Sequence, residues 1–296
     1  MGSTTAAALT AATHEIDVDG VRQVYHVAGT GPVCIVHSGG PGIEWAYLRM
    51  PTLEAHLTMV YLEPVGTGAS GQLADPRDYR LDTYSRFLHG VVEHLGQERV
   101  LLLGHSHGGF VIQRYALDHP DRVAGLILYD TSPVTGPEFW AEAMAGVQRF
   151  VEQHPERAEA ADVAVAFQET PDAPDDNWVS TKLQRILPVY FADYWGREGE
   201  YTPMRAAVRG WLGPQLGEEP TPFDVRDQLG SITAPSLVVV GEHDFICGTR
   251  WATMLHDGIP GSRHVLLRDS GHFGHLEQPE EFTRAIAEFV GRVKFG

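Results

Sequence analysis

Two cysteines, no basic leader and no long apolar run set the first limits on this chain of 296 residues. Cys34 and Cys247 form no disulfide framework and suit a reducing, cytoplasmic setting. No apolar stretch approaches the roughly 20 residues that a bilayer crossing needs, so no membrane association is expected. Residues 1–13 are rich in Ala and Thr and lack a basic start followed by an apolar core. They read as a flexible tail and not as a secretory signal. Basic residues are few: 22 Lys and Arg stand against 39 Asp and Glu, a formal net charge of −17. Such a chain repels nucleic acid and anionic lipid, which leaves a small molecule or a short peptide as its partner and the choice of monomer or homo-oligomer open. No repeat of 20 to 50 residues marks a solenoid or propeller. Among the 15 histidines, His105-Ser-His107, His243-Asp244 and His272-x-x-His275 lack a recognised metal-ligand spacing, so neither a metal nor another cofactor is expected.

What is present is an alternation of strands and helices. Aliphatic and β-branched runs bounded by Gly or Pro occupy 21–27, 33–37, 58–62, 100–103, 124–129, 236–240 and 264–267. Stretches with helical spacing lie at 81–95, 110–119, 250–255 and 280–293. This order predicts an α/β domain with a mostly parallel sheet covered on both faces. Between 132 and 221 the rhythm stops: aromatic and helical residues occur without a strong strand run, which predicts an inserted helical cap. The core would then comprise 14–131 and 222–296. Pro171-Asp-Ala-Pro174-Asp-Asp should join two cap helices. Glu44, Trp45, Phe139, Tyr190, Phe191, Tyr194 and Trp195 are the candidate walls of a substrate pocket, although aromatics of this kind can equally pack the cap's own core.

The run Gly104-His105-Ser106-His107-Gly108 follows the strand Val100-Leu-Leu-Leu103 at once and leads into a helix. A serine on so sharp a strand–turn–helix is lifted clear of the sheet, and its flanking glycines remove side chains that would collide. The turn also aims the His107 N–H and the positive end of the helix at a substrate oxygen. Ser106 is therefore the candidate nucleophile. A serine hydroxyl needs a base, and on such a sheet the partners follow in chain order, acid then histidine, at the ends of later strands. Asp244 closes the run after Leu237-Val-Val-Val240, and His272 follows His264-Val-Leu-Leu267 through Arg268-Asp-Ser-Gly271. Asp244 is the candidate orienting acid and His272 the candidate base; His275 is a rival base, and Asp130 and Glu242 are rival acids.

After the strand at 33–37 comes Ser38-Gly39-Gly40-Pro41-Gly42, followed by Ile43-Glu44-Trp45-Ala46-Tyr47-Leu48. Together with Gly66-Thr-Gly68-Ala-Ser70, the turn around Ser106, Gly241 to Asp244 and Ser270 to Glu281, this loop resembles the proline iminopeptidase branch of the α/β hydrolases. The resemblance covers nearly the whole chain except the cap. It implies an α/β-hydrolase fold and, carried over by position, Gly40 and His107 as the N–H donors of an oxyanion hole. It also implies a serine hydrolase acting on an ester, lactone or amide, an amino-terminal prolyl amide included. The chain departs from the branch at Ser38, which replaces the loop histidine, and at Glu63-Pro64-Val65, which replaces Asp-x-Arg. His105 and His107 beside the serine, and a cap without a clear Trp-Glu pair, are further departures. They leave open a non-hydrolytic enzyme on the same fold, an epimerase, cyclase or lyase acting on a small biosynthetic intermediate.

Overall fold

The structure, a computed structural model, describes residues 9–170 and 174–295. Its strands are β1 (Thr13–Val18), β2 (Val21–Gly29), β3 (Val33–His37), β4 (Thr58–Glu63), β5 (Val100–His105), β6 (Val123–Tyr129), β7 (Ser236–Gly241) and β8 (Arg263–Leu267). They form one sheet in the order β1-β2-β4-β3-β5-β6-β7-β8, with β1, β2 and β4 paired antiparallel and all other pairs parallel. The seven strands read from the sequence are β2 to β8. β1 is an addition: it carries His14, Glu15 and Asp17 on a half-exposed edge, so its apolar signal is only Ile16 and Val18. The expected tail therefore stops short of Thr13, since the Ala12 carbonyl already accepts the Val27 N–H. The rest of that expectation lies largely outside the described residues.

Burial on both faces explains the near-continuous apolar runs of β3, β5, β6 and β7. Successive residues alternate between two apolar clusters. Ile35, Leu102 and Leu126 belong to one, whereas Val36, Leu101 and Ile127 belong to the other. The longer helices that cover them are α1 (Leu81–Leu95), α2 (His107–Asp118), α7 (Thr249–Gly258) and α8 (Pro279–Val290).

Between β6 and β7 the chain runs through α3 (Pro137–Gln153), α4 (Ala158–Gln168), α5 (Asp176–Ile186) and α6 (Glu198–Ala207). The two ends of this helical stretch meet at its base, where the Thr135 N–H donates to Phe223 O at 2.7 Å and the Val225 N–H to Pro133 O at 3.0 Å. The turn expected at 171–176 falls between α4 and α5; 171–173 lie outside the described residues, and Asp175 caps α5 by accepting the Trp178 N–H. Among the described residues, no helix is long and apolar enough to cross a membrane.

Leu102, fully buried in the central strand, should be expensive to truncate: Leu102→Ala is expected to cost about 3 kcal/mol in urea unfolding. Val165→Ala, at a position 60% exposed, should change it by less than about 0.5 kcal/mol.

Candidate active site

Ser106 sits between β5 and α2 with φ 54° and ψ −121°, a conformation that costs a non-glycine residue about 1–3 kcal/mol. Hydrogen bonds hold it there. Its N–H donates to Tyr129 O at 3.0 Å, and the Thr131 hydroxyl donates to Ser106 O at 2.8 Å. The flanking glycines are required by backbone proximity: a Cβ at Gly104 would stand 2.4 Å from Gly108 O, and one at Gly108 would stand 2.2 Å from His37 O.

Asp244 and His272 converge on the same place from the ends of β7 and β8. Asp244 Oδ2 accepts from His272 Nδ1 at 2.7 Å, while Oδ1 accepts the Ile246 and Cys247 N–H groups, each at 3.0 Å. Both side chains are buried. The His272 loop is tied to the helical stretch above it, since the His272 N–H donates to Tyr190 O at 2.7 Å. Buried Glu277 joins the same two segments by accepting the Gly271 and Ala192 N–H groups, each at 2.7 Å.

His105 adds a link that the sequence did not signal. Its Nε2 donates to the His272 carbonyl at 2.8 Å, which leaves Nδ1 to accept from the Tyr47 hydroxyl at 2.8 Å. That hydroxyl accepts the Gly39 N–H at 2.7 Å. A single hydrogen-bonded line thus connects the glycine loop to the His272 backbone. His275, the rival base, is placed in this scaffold: Nε2 donates to Tyr47 O, and Nδ1 accepts from the Tyr129 hydroxyl. Glu242 and His243 are exposed. Cys247 lies deep in the site, within hydrogen-bonding reach of the Ser106 hydroxyl, with burial pushing its thiol up.

Asp130, the rival acid, is fully buried behind Asp244 at the end of β6. Its Oδ1 accepts the Gly241 N–H at 2.8 Å, and Oδ2 has no donor. Burial, and then the adjacent Asp244 charge, push the Asp130 carboxyl well above the usual range. Both effects favour the protonated form of Asp130, which lessens the repulsion between the two adjacent carboxyls.

Gly39 comes close to Ser106, and Gly40 lines the same cavity. A Cβ on Gly39 would meet Ser106 Cβ at 3.1 Å, and Gly40 holds φ +133°, which favours glycine. Among the described residues, no acceptor takes the N–H of Gly40 or of His107.

Ser106, Gly40 and His272 open onto a cavity of about 620 Å³. Of the wall candidates only Tyr190 lines it, its ring centroid 5.2 Å from that of His272. The others are placed elsewhere for packing reasons. Trp45 stacks on His26, Phe139 packs near Trp251, Trp195 stacks on Phe150 and Phe191 on Tyr201. The Tyr194 hydroxyl accepts from Arg205, and Glu44 accepts the Arg209 N–H. The walls come instead from residues such as Met144, Phe167, Trp178, Leu183 and Met204.

This architecture has known counterparts: the alpha/beta hydrolase fold matches residues 31–279. The chain belongs to the α/β-hydrolase fold family. It is 26% identical over 286 residues to a proline iminopeptidase of Saccharolobus solfataricus, covering 92% of this chain and 88% of that one. It is also 26% identical over 278 residues to a 2-hydroxy-6-oxononadienedioate/2-hydroxy-6-oxononatrienedioate hydrolase of Cupriavidus pinatubonensis, covering 89% and 88%. Among solved structures, the enol-lactonase of Burkholderia xenovorans LB400 matches with a TM-score of 0.71 at 22% identity, over 94% of this chain and 100% of that one.

Two sets of donor atoms in this hydrolase, from His105, Asp130 and His272 and from Asp244, Cys247 and His272, come within 4.8 Å of one another. Both nitrogens of His105 and both oxygens of Asp244 are already engaged in the hydrogen bonds above, so these groups are built into the protein's own network.

The buried histidines make stability depend on pH. Burial holds His37 and His275 down to about 4, His107 to about 3, and His105 well below its ordinary value. In the unfolded chain each protonates near pH 6.5. Their contribution is full above that pH and is lost as the pH falls toward the folded values. Asp130, and Glu277 pushed up to about 7 by burial, act oppositely by favouring the protonated fold. Burial also lowers His89, His94 and His264 and raises Glu44 and Glu219; the histidines outnumber the raised carboxyls, so the melting temperature should fall between about pH 7 and pH 5. A flat or rising profile would contradict the neutral histidines.

Proposed function

We propose that this protein is a serine hydrolase that cleaves an ester or lactone of a small molecule through an acyl-enzyme on Ser106. The observation that carries the reading is the Asp244–His272 pair, 2.7 Å apart, beside a strained Ser106 at the wall of an apolar cavity. In this account 132–221 form a cap on a core of 14–131 and 222–296.

His272 takes the Ser106 proton as the hydroxyl attacks the substrate carbonyl, and Asp244 fixes the ring and stabilises the imidazolium. The Gly40 and His107 N–H groups stabilise the tetrahedral oxyanion, each contributing about 3 kcal/mol. His272 then protonates the leaving group, and water repeats the sequence to release the acid. The Tyr47–His105 line sets the position of the His272 backbone, so that the ring is held from both its side chain and its main chain. Asp130 keeps its proton and supports Asp244 without taking its place.

The cavity wall argues for esters or lactones over prolyl amides. An aminopeptidase must hold a free ammonium, whereas no Asp or Glu lines this cavity among the described residues. The relationship to proline iminopeptidases keeps the amide as the second reading.

A panel of short acyl esters, lactones and proline arylamides, assayed with wild type and Ser106→Ala, tests both. Turnover of esters or lactones, lost in Ser106→Ala, is the expected result; turnover of prolyl arylamides alone would favour the second reading. Full activity in Ser106→Ala would exclude the acyl-enzyme.

The two carboxyls should also separate. Asp244→Asn is expected to lower kcat about 10⁴-fold by imposing the wrong His272 tautomer. Asp130→Asn, which keeps a neutral donor, should lower it by less than about 10-fold. Equal losses would give Asp130 the orienting role.

A further inference from the structure

Of the 22 basic residues in the chain, only two, Lys182 and Lys294, are lysines. Among the described residues that line the cavity, Lys182 is the only Lys or Arg and no Asp or Glu is present, so it is the only formally charged group of that wall apart from any histidine. It projects from α5 one turn beyond Trp178, with Nζ 5.1 Å from the indole ring, among Val179, Leu183 and Ile186 of the same wall. An ammonium has three N–H donors. One goes to the Glu169 carbonyl at 3.0 Å. The Glu169 carboxylate is taken by Arg185 at 2.5 Å, and Arg185 also binds Asp162. Among the described residues, no carboxylate forms an ion pair with Lys182.

The half-buried Lys182 feels the Glu169 carboxylate without forming an ion pair with it, and that carboxylate is held by Arg185, so the ammonium keeps donors for an anion that enters the cavity. We propose that Lys182 is the subsite for a carboxylate carried by the substrate away from the scissile carbonyl. The substrates would then be half-esters, or lactones bearing a free carboxylate. This rests on the serine-hydrolase reading and adds the substrate's charge to it. A single ammonium without arginine partners suits a monoanion better than a phosphate, which draws on several donors or a planar guanidinium. The net charge of −17 does not oppose this, because at physiological salt the field of distant charges is screened over about 8 Å and the local ammonium decides.

The test pairs the p-nitrophenyl half-esters of glutaric and adipic acid with the neutral p-nitrophenyl pentanoate and hexanoate, for wild type, Lys182→Met and Lys182→Arg. Wild type should favour the charged esters by about 10- to 100-fold in kcat/KM, the value of one charge-assisted hydrogen bond. Lys182→Met should lose that preference, mainly through KM, and change the neutral esters by less than about threefold. Lys182→Arg should keep part of it. Equal losses on charged and neutral esters, or no preference in wild type, would overturn the proposal. Thermal unfolding with glutarate reads the subsite apart from the chemistry. Should no ester turn over, the serine-hydrolase reading falls, while a glutarate-induced rise in melting temperature in wild type but not in Lys182→Met still supports the subsite. The same rise in both removes it.

Discussion

Holding Ser106 at φ 54° is the constraint on which the rest of the site depends. The strain is tolerated because Tyr129 at the end of β6 and Thr131 just beyond it hydrogen-bond both sides of the residue, and because glycines at 104 and 108 let backbone touch backbone. Once that turn is fixed, the N-terminus of α2 points its free N–H groups along the same direction as the hydroxyl. The carboxyl ends of β7 and β8 then deliver Asp244 and His272 to the same edge of the sheet.

The second organising element is a buried polar network. Tyr47, His105 and the His272 carbonyl form a line with one consistent assignment of donors, and Tyr129 and His275 form another. Such networks fix a geometry when every member is satisfied. Glu277 serves the same purpose between the His272 loop and the helical stretch above it, so that loop is tied to both the sheet and the helices.

The convergence of Ser106, Asp244 and His272 was legible because each lies at a strand end with an apolar run before it, and because glycines mark the turn. β1 was not, since an edge strand needs few apolar residues. The Tyr47–His105 and His105–His272 links span 58 and 167 positions, which no local pattern reports. Choosing pocket walls by aromatic type failed at Trp45, Phe139, Phe191 and Trp195 because large rings pack on one another first. The cavity is lined instead by one face of α5 and its neighbours, and that face is defined by helix packing. His105 and His107 look like catalytic candidates by type, yet burial keeps both neutral and His105 acts through its hydrogen bonds.

An activated serine is the centre of this account, and its nucleophilicity can be read without knowing the substrate. A fluorophosphonate probe applied to the folded protein, followed by peptide mapping by mass spectrometry, measures it directly. The account predicts one adduct, on the peptide carrying Ser106, formed far faster than after denaturation. Labelling elsewhere, or none in the folded protein, would contradict it.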